Sequence, residues 1–256
     1  MRSPGDGNAR ADNGARLVND IGTRLEAISV WLRKLDPEAT FDARDRKLLS
    51  EAVADLHAFR AGQVLSNEGD GVGTAVLIVR GIACRSKETL GGRRQIIAIC
   101  LPGDLSEPGG AALEKTDYSV QALTAGCAAL VPARSLRGLE KRESIAFALR
   151  RAEARDNAIS REWILNLAAR PAKERIAHLL CELVSRLRQV GLVRGNACEF
   201  PLSQQVLAEA TGLSAVHVNR ILQDLRAAGL IRLQAGKLEF PDPLRLEALA
   251  EFSPLV

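Results

Sequence analysis

The stretch from Phe59 to Pro132 constrains the fold more than any other part of the chain, because short β-rich runs there are cut by glycine at close intervals. The runs are Gln63–Leu65, Thr74–Arg85, Gln95–Leu101 and Ser119–Val131, and Gly62, Gly69, Gly73, Gly81, Gly91-Gly92 and Gly103 punctuate them. Glycine supplies the positive φ that tight turns need, so the pattern predicts a compact roll of short antiparallel strands. Gly91-Gly92 marks a hairpin between two of them.

Helical periodicity flanks this block on both sides. Leu17, Ile21, Leu25, Ile28 and Leu32 predict a helix over 16–33, and Leu48, Leu49, Val53 and Leu56 predict a second from about Ala43 to His57. Residues 1–15 are rich in Gly, Asn, Asp and Arg without periodicity and read as a disordered tail. After Pro132, Ile145, Leu149, Ala152, Ile159 and Trp163 recur at four- and three-residue steps. A seam of this kind suits a long helix that pairs with a copy of itself, and the competing reading is a helix lying on its own β-roll. Pro171 opens another helix, with Ile176, Leu180, Leu183 and Leu187 as its buried stripe. The expected division is a tail over 1–15, helices plus β-roll over 16–135, a dimerisation helix over 136–169 and a second domain over 170–256. The fold class is α+β.

Composition removes several function classes. No apolar run approaches the roughly 18 residues of a membrane span, and residues 1–20 hold no hydrophobic block of a secretory signal. Nine aromatic residues are too few for a single-strand binder that stacks bases on rings. Five cysteines, at 84, 100, 127, 181 and 198, form no C-x-x-C pair and fit a reducing cytoplasm. His178 and Cys181 stand one helical turn apart but read as ordinary helix residues, so no metal is expected. Cys100 and Cys127 are the candidates for a thiol switch, although neither has a resolving partner nearby in sequence. An enzyme of the cupin type needs clustered histidines, and residues 59–132 contain none. No enzyme activity and no cofactor are expected.

Residues 204–221 carry the function. A helix-turn-helix needs a small residue where its helices cross and, four positions later, one that tolerates positive φ; Ala208 and Gly212 supply them. Leu207, Leu213, Val218 and Ile221 fall where the helices pack, and Ser214 is placed to cap the second. Ala215, His217, Asn219 and Arg220 then project in one patch. Leu230–Leu233 and Lys237–Phe240, joined at Ala235-Gly236, predict a wing hairpin. The net charge of +4 is unevenly spread: residues 170–238 carry ten Lys or Arg against five Asp or Glu, whereas 239–256 carry one Arg against four acids. The basic excess surrounds the reading head, where phosphate counterions would be released.

The order β-roll, long helix, winged helix-turn-helix resembles the Crp/Fnr superfamily of bacterial transcription regulators. The resemblance covers about residues 25–250. It rests on Gly62, Gly81, Pro102-Gly103-Asp104, Gly212-Leu213-Ser214, Val218-Asn219-Arg220-Ile221-Leu222, Leu225 and Gly229-Leu230-Ile231. Gly92-Arg93-Arg94-Gln95-Ile96, Asp117-Tyr118-Ser119, Ala122-Leu123-Thr124 and Arg161-Glu162-Trp163 are similar to an alphaproteobacterial branch. The resemblance implies a cyclic-nucleotide-binding-like jelly roll, a homodimer on palindromic double-stranded DNA and contact with RNA polymerase.

Departures from the family pattern matter as much. Cyclic-nucleotide-binding members carry a Gly-Glu pair for the ribose and an Arg-Ser or Arg-Thr pair for the phosphate. The matching positions here are Glu107, Pro108, Tyr118 and Ser119, so the guanidinium is missing and control by cAMP is not expected. Glu107, Tyr118 and Ser119 stay as candidates for some other small-molecule effector. Oxygen-sensing members use N-terminal cysteines for an iron–sulfur cluster, and the first cysteine here is Cys84. For DNA, Arg220 is the expected base reader, because a guanidinium takes guanine O6 and N7 together. Val216 stands where many members have Glu, and Ala215 where many have Arg or Val, so the half-site is expected to differ from the family's usual one. His217 and Asn219 fit phosphate or local helix contacts, and Ser203 and Gln204 are expected phosphate anchors. The alternative is a small-molecule-binding or protein-interaction module whose helix-turn-helix no longer reads DNA.

Overall fold

The computed structural model describes residues 21–71, 73–107 and 114–254. The tail predicted over 1–15 and the start of the first helix lie outside them. Two helices lead, α1 (Ile21–Leu35) and α2 (Ala43–Ala52). Asp42 caps α2 reciprocally with Asp45, the two carboxylates exchanging backbone N–H groups. The strands follow: β1 (Leu56–Phe59), β2 (Val64–Ser66), β3 (Thr74–Arg80), β4 (Ala83–Glu88), β5 (Arg94–Cys100), β6 (Ser119–Ala122) and β7 (Gly126–Pro132). They form two antiparallel sheets, β1-β7-β3 and β2-β6-β4-β5. Phe59, Val76, Ile78, Ala83, Cys100, Val120, Ala122 and Ala128 fill the space between them. The expected β-roll is present, and the β4–β5 hairpin turns at Gly91-Gly92.

Three boundaries differ from expectation. The second helix ends at Ala52 rather than His57, because Leu56–Phe59 pairs with Gly126–Ala129 as β1 and buries Leu56 and Phe59. Backbone pairing of that segment outweighs the helical spacing of its apolar residues. The runs Thr74–Arg85 and Ser119–Val131 are each two strands: the first turns at Gly81 and the second breaks before Gly126.

One short helix and the long helix close the roll. α3 (Ala133–Leu139) and α4 (Glu143–Ala168) follow β7 directly. A second core forms where α1 and α2 lie on the outer face of sheet β1-β7-β3, and Ile145, Ala148 and Leu149 of α4 belong to it. The C-terminal unit comprises α5 (Ala172–Gln189), β8 (Val193–Arg194), β9 (Ala197–Glu199), α6 (Gln204–Thr211), α7 (Ala215–Ala227), β10 (Arg232–Gln234), β11 (Lys237–Glu239) and α8 (Pro243–Ala250). Its core is continuous with the outer face of sheet β2-β6-β4-β5, since Ile82, Cys84, Ile96, Ile99 and Leu101 pack with Ile176, Leu180 and Leu183.

Of the five residues read as a dimer seam, three are buried in the protomer and two are half-buried at the edges of its cores. Ile145 and Leu149 are buried in the α1–α2 core and Ala152 packs against it; Ile159 packs against the core of the C-terminal unit. Trp163 is buried in that core and its Nε1–H donates to Glu182 at 2.7 Å. Ile145, Leu149 and Trp163 are buried within the protomer and Ala152 and Ile159 are half-buried, so much of this periodicity reports packing against the chain's own two units. The opposite face of α4 is exposed at Phe147, Arg150, Ala154, Asn157, Arg161, Ile164 and Ala168.

Candidate nucleic-acid interface

The reading head is set by local chemistry. Ser203 caps α6, its hydroxyl accepting the Val206 N–H at 3.2 Å, and Ser214 caps α7 by accepting the His217 N–H at 3.2 Å. Each cap satisfies a backbone donor that a helix start leaves orphaned. Between the helices Gly212 takes φ +67 and ψ +25, the left-handed conformation that turns the chain. Ala208 is buried at the crossing and its carbonyl accepts the Leu213 N–H at 3.1 Å. Leu207, Val218, Ile221, Leu222 and Leu225 lock the two helices onto α5.

This packing leaves one face of α7 in solvent. Val216 is 82% exposed, and Arg220, Gln223 and Ala227 continue the stripe at helical spacing. Arg220 makes no hydrogen bond or ion pair among the described residues, so its fork of donors is available. The other expected residues separate into different roles. Ala215 is half-buried against the core, and His217 is half-buried beside it. Asn219 is committed across the motif: its Nδ2 donates to Gln204 Oε1 at 2.9 Å. That bond ties α7 to the start of α6 and leaves the Gln204 amide nitrogen for an outside acceptor.

Sequence reasoning missed Gln223, although it stands three positions beyond Arg220 and seven beyond Val216 on the same face. The wing is present as β10 and β11, paired Gln234 to Lys237 across Ala235 (φ +49) and Gly236 (φ +73). Positive φ at both loop residues is the type I′ geometry of a tight hairpin. Strands β8 and β9, not foreseen, extend the wing to four strands in the order β10-β11-β9-β8, with Lys237 and Arg194 exposed.

The candidate effector residues are occupied by the fold itself. Ser119 Oγ accepts the Glu68 N–H at 3.0 Å, and Glu107 accepts from Ser106 Oγ at 2.9 Å. Tyr118 donates its hydroxyl to the Ser106 carbonyl at 2.6 Å while its ring lies under the Arg85 guanidinium at 5.3 Å. Arg85 is itself held by Asp156 of α4 at 2.7 Å and the Leu105 carbonyl at 2.9 Å. Burial raises the pKa of Glu107 despite the Ser106 hydrogen bond and nearby Arg85. All five cysteines are buried, and burial pushes Cys100 up to about 12 and Cys127 to about 11. Thiols so far from ionisation are poor nucleophiles, which argues against either as a redox switch. His178 binds the Ala250 carbonyl through Nδ1 at 3.0 Å and stacks edge-on against Phe252.

A β-roll, a long connecting helix and a capped helix-turn-helix with an exposed Arg and a wing define a DNA-reading regulator. Comparison with known proteins agrees: residues 174–249 match the Crp-like helix-turn-helix domain and residues 56–143 the cyclic nucleotide-binding domain. The nitrogen fixation regulation protein FixK of Rhizobium meliloti is 30% identical over 159 residues, 62% of this chain and 69% of that protein. The transcriptional activator protein FnrL of Cereibacter sphaeroides is 26% identical over 191 residues, 73% of this chain and 76% of its own length. The solved structure of FixK2 from Bradyrhizobium japonicum superposes with a TM-score of 0.69 at 23% identity, covering 79% of this chain and 99% of that one. The chain belongs to the Crp/Fnr family of transcription regulators. Among the described residues no helix is long and apolar enough to cross a membrane.

Proposed function

We propose that this chain is a cytoplasmic, sequence-specific regulator that binds palindromic promoter DNA as a homodimer, contacts RNA polymerase and is not controlled by cAMP. The observation that carries the DNA reading is the pairing of an unengaged Arg220 with exposed Val216 on a helix whose other faces are locked by caps and core. Arg220 would take guanine O6 and N7, and Val216 a thymine methyl. Ser203, Gln204 and the wing residue Lys237 would hold phosphates and set the register.

Two such heads reading successive major grooves about 34–36 Å apart require a two-fold partner. The support for a seam is the exposed stripe of α4, where Phe147, Arg150, Ala154, Asn157, Arg161, Ile164 and Ala168 recur at alternating three- and four-residue steps and Phe147, Ala154, Ile164 and Ala168 are apolar. The support for cAMP independence is that the Arg85 guanidinium, which lies over the Tyr118 ring, is already bonded to Asp156 and the Leu105 carbonyl. A cyclic phosphate buried there would lack its counter-charge.

Selection of random-sequence DNA on the full-length protein, followed by gel shift of the recovered site, tests the reading. The expected result is a palindromic motif. Arg220→Ala should cost about 1–3 kcal/mol on that motif and little on non-specific DNA. Equal losses on both would remove Arg220 from base readout, and recovery of no motif would remove the function.

A further inference from the structure

The exposed stripe of α7 carries a second hydrogen-bonding side chain, and the contacts assigned to Arg220 and Val216 leave it without a role. Successive residues of a helix are turned by about 100°, so Val216, Arg220, Gln223 and Ala227 fall within an arc of about 60°. All four are exposed. The rest of the helix is turned away or flanks this arc: Val218, Ile221, Leu222 and Leu225 are buried, and His217 and Asn219 are half-buried. On the stripe itself only Arg220 and Gln223 can donate a hydrogen bond from the side chain.

The Gln223 amide is free among the described residues, unlike the other side-chain amides of α6 and α7. Asn219 and Gln204 are bonded to each other at 2.9 Å, and Gln205 donates to the Glu209 carboxylate at 3.0 Å. Two features favour a base edge over a phosphate as its partner. Gln223 is uncharged and Asp224 beside it is exposed, so a phosphate brought there would meet a carboxylate and no cation. A glutamine amide also presents a donor and an acceptor side by side, the complement of adenine N7 and N6 in the major groove.

Position along the helix sets which base pair is reached. At about 1.5 Å of rise per residue, Gln223 stands about 4.5 Å beyond Arg220, and Val216 about 6 Å before it. Base pairs are stacked about 3.4 Å apart. Resting on the DNA reading proposed above, we propose that Gln223 is a further specificity-determining residue. It takes adenine N6 and N7 one or two base pairs from the guanine of Arg220, on the side away from the thymine of Val216.

The test is selection of random-sequence DNA on the full-length wild type, Gln223→Ala and Gln223→Glu in parallel, with competition gel shifts on the recovered sites. The wild type should prefer adenine at that position of each half-site by at least about fivefold over the other bases. Gln223→Ala should cut the preference below about twofold and keep the guanine and thymine preferences. It should also bind a site lacking that adenine as the wild type does, to within about twofold, with a Tm within a few degrees of the parent. Gln223→Glu should move the preference at the same position to cytosine, whose N4 amino group a carboxylate accepts. Weakening by Gln223→Ala on all sites alike would make Gln223 a phosphate contact. An unchanged motif, a change on the Val216 side of the guanine, or adenine retained by Gln223→Glu would also overturn the proposal, in each case leaving the DNA reading in place. A wild type that recovers no motif would remove the DNA reading and this role together.

Discussion

At the scale of single residues, two glycines illustrate different physical demands. Gly212 sits at φ +67 with the nearest neighbour of an added Cβ at 3.7 Å, the Leu167 side chain. Its requirement is conformational alone, so Gly212→Ala should cost about 1 kcal/mol, the penalty of holding a side-chain residue left-handed. Gly126 has no positive φ, but a Cβ there would meet the Arg80 carbonyl at 2.1 Å and the Phe59 ring at 2.5 Å. Neither neighbour yields cheaply, because one is backbone and the other is wedged between the sheets. Gly126→Ala should therefore destabilise by about 3 kcal/mol, and denaturant melts of the two variants should rank in that order. Equal costs would mean that the Arg80 and Phe59 neighbours of Gly126 give way cheaply to an added Cβ. The first glycine was legible from its spacing to Ala208 and Ser214. The second was not, since its constraint comes from Phe59 and Arg80, far away in sequence.

Elements were legible where their determinants are local. The caps, the turn and the packing positions of α6 and α7 all lie within about twenty consecutive residues, and the structure arranges them as the spacing implies. Elements set by distant pairing were harder. Leu56–Phe59 carries helical spacing yet forms β1, because its partner β7 stands seventy residues on. Strands β8 and β9 are too short to register as a pattern without the wing that completes their sheet. The stripe from Ile145 to Trp163 shows a further limit: a period reveals that a face is buried, not which surface buries it. The exposed stripe was masked in the sequence by Arg150, Asn157 and Arg161, which interrupt its apolar residues. These two faces make opposite predictions. Phe147, 61% exposed, and Ile164, 67% exposed, belong to the outward stripe. Phe147→Glu or Ile164→Glu should raise the dimer dissociation constant at least about tenfold by sedimentation, with little change in protomer stability. Trp163→Phe should do the reverse, because it strips Glu182 of a buried donor and leaves the outer stripe intact. Dissociation caused by Trp163→Phe alone would return the seam to the inward face.

For the whole molecule, composition gave a nearly balanced charge of +4, and the fold shows where the balance is struck. Opposite charges are concentrated at the junction of the roll with the DNA-reading unit. Asp104 is the centre of that junction: it joins Lys34 of α1 to Arg186 of α5, and Arg186 also donates to the Ile99 carbonyl of β5 at 2.7 Å. Arg94 to Glu209 at 3.4 Å and Gln95 to the Glu209 carbonyl at 2.6 Å add a second tie between β5 and α6. Burial opposes ionisation of Asp104, but Lys34, Arg186 and the Leu101 N–H overcome it and hold the carboxyl well below the usual carboxylate range. A carboxyl depressed in the folded state contributes its full stabilisation above its unfolded pKa, about 4, and loses it as pH falls through the lower folded value. Asp36 and Asp45 are also depressed, so the wild-type melting curve alone cannot isolate Asp104. The difference between wild type and Asp104→Asn can. At pH 7 the variant leaves the half-buried Lys34 without its counter-charge and Arg186 with Glu182 alone, and should lose about 3 kcal/mol. As pH drops from about 4 toward 2, the unfolded Asp104 carboxyl takes up a proton while the folded one stays ionised, which erodes the wild type's advantage, so the gap between the two Tm curves should narrow. Parallel curves across that window would mean that Asp104 keeps its ordinary pKa and that the junction is held by the apolar contacts of Ile96, Ile99 and Leu101 with α5 instead.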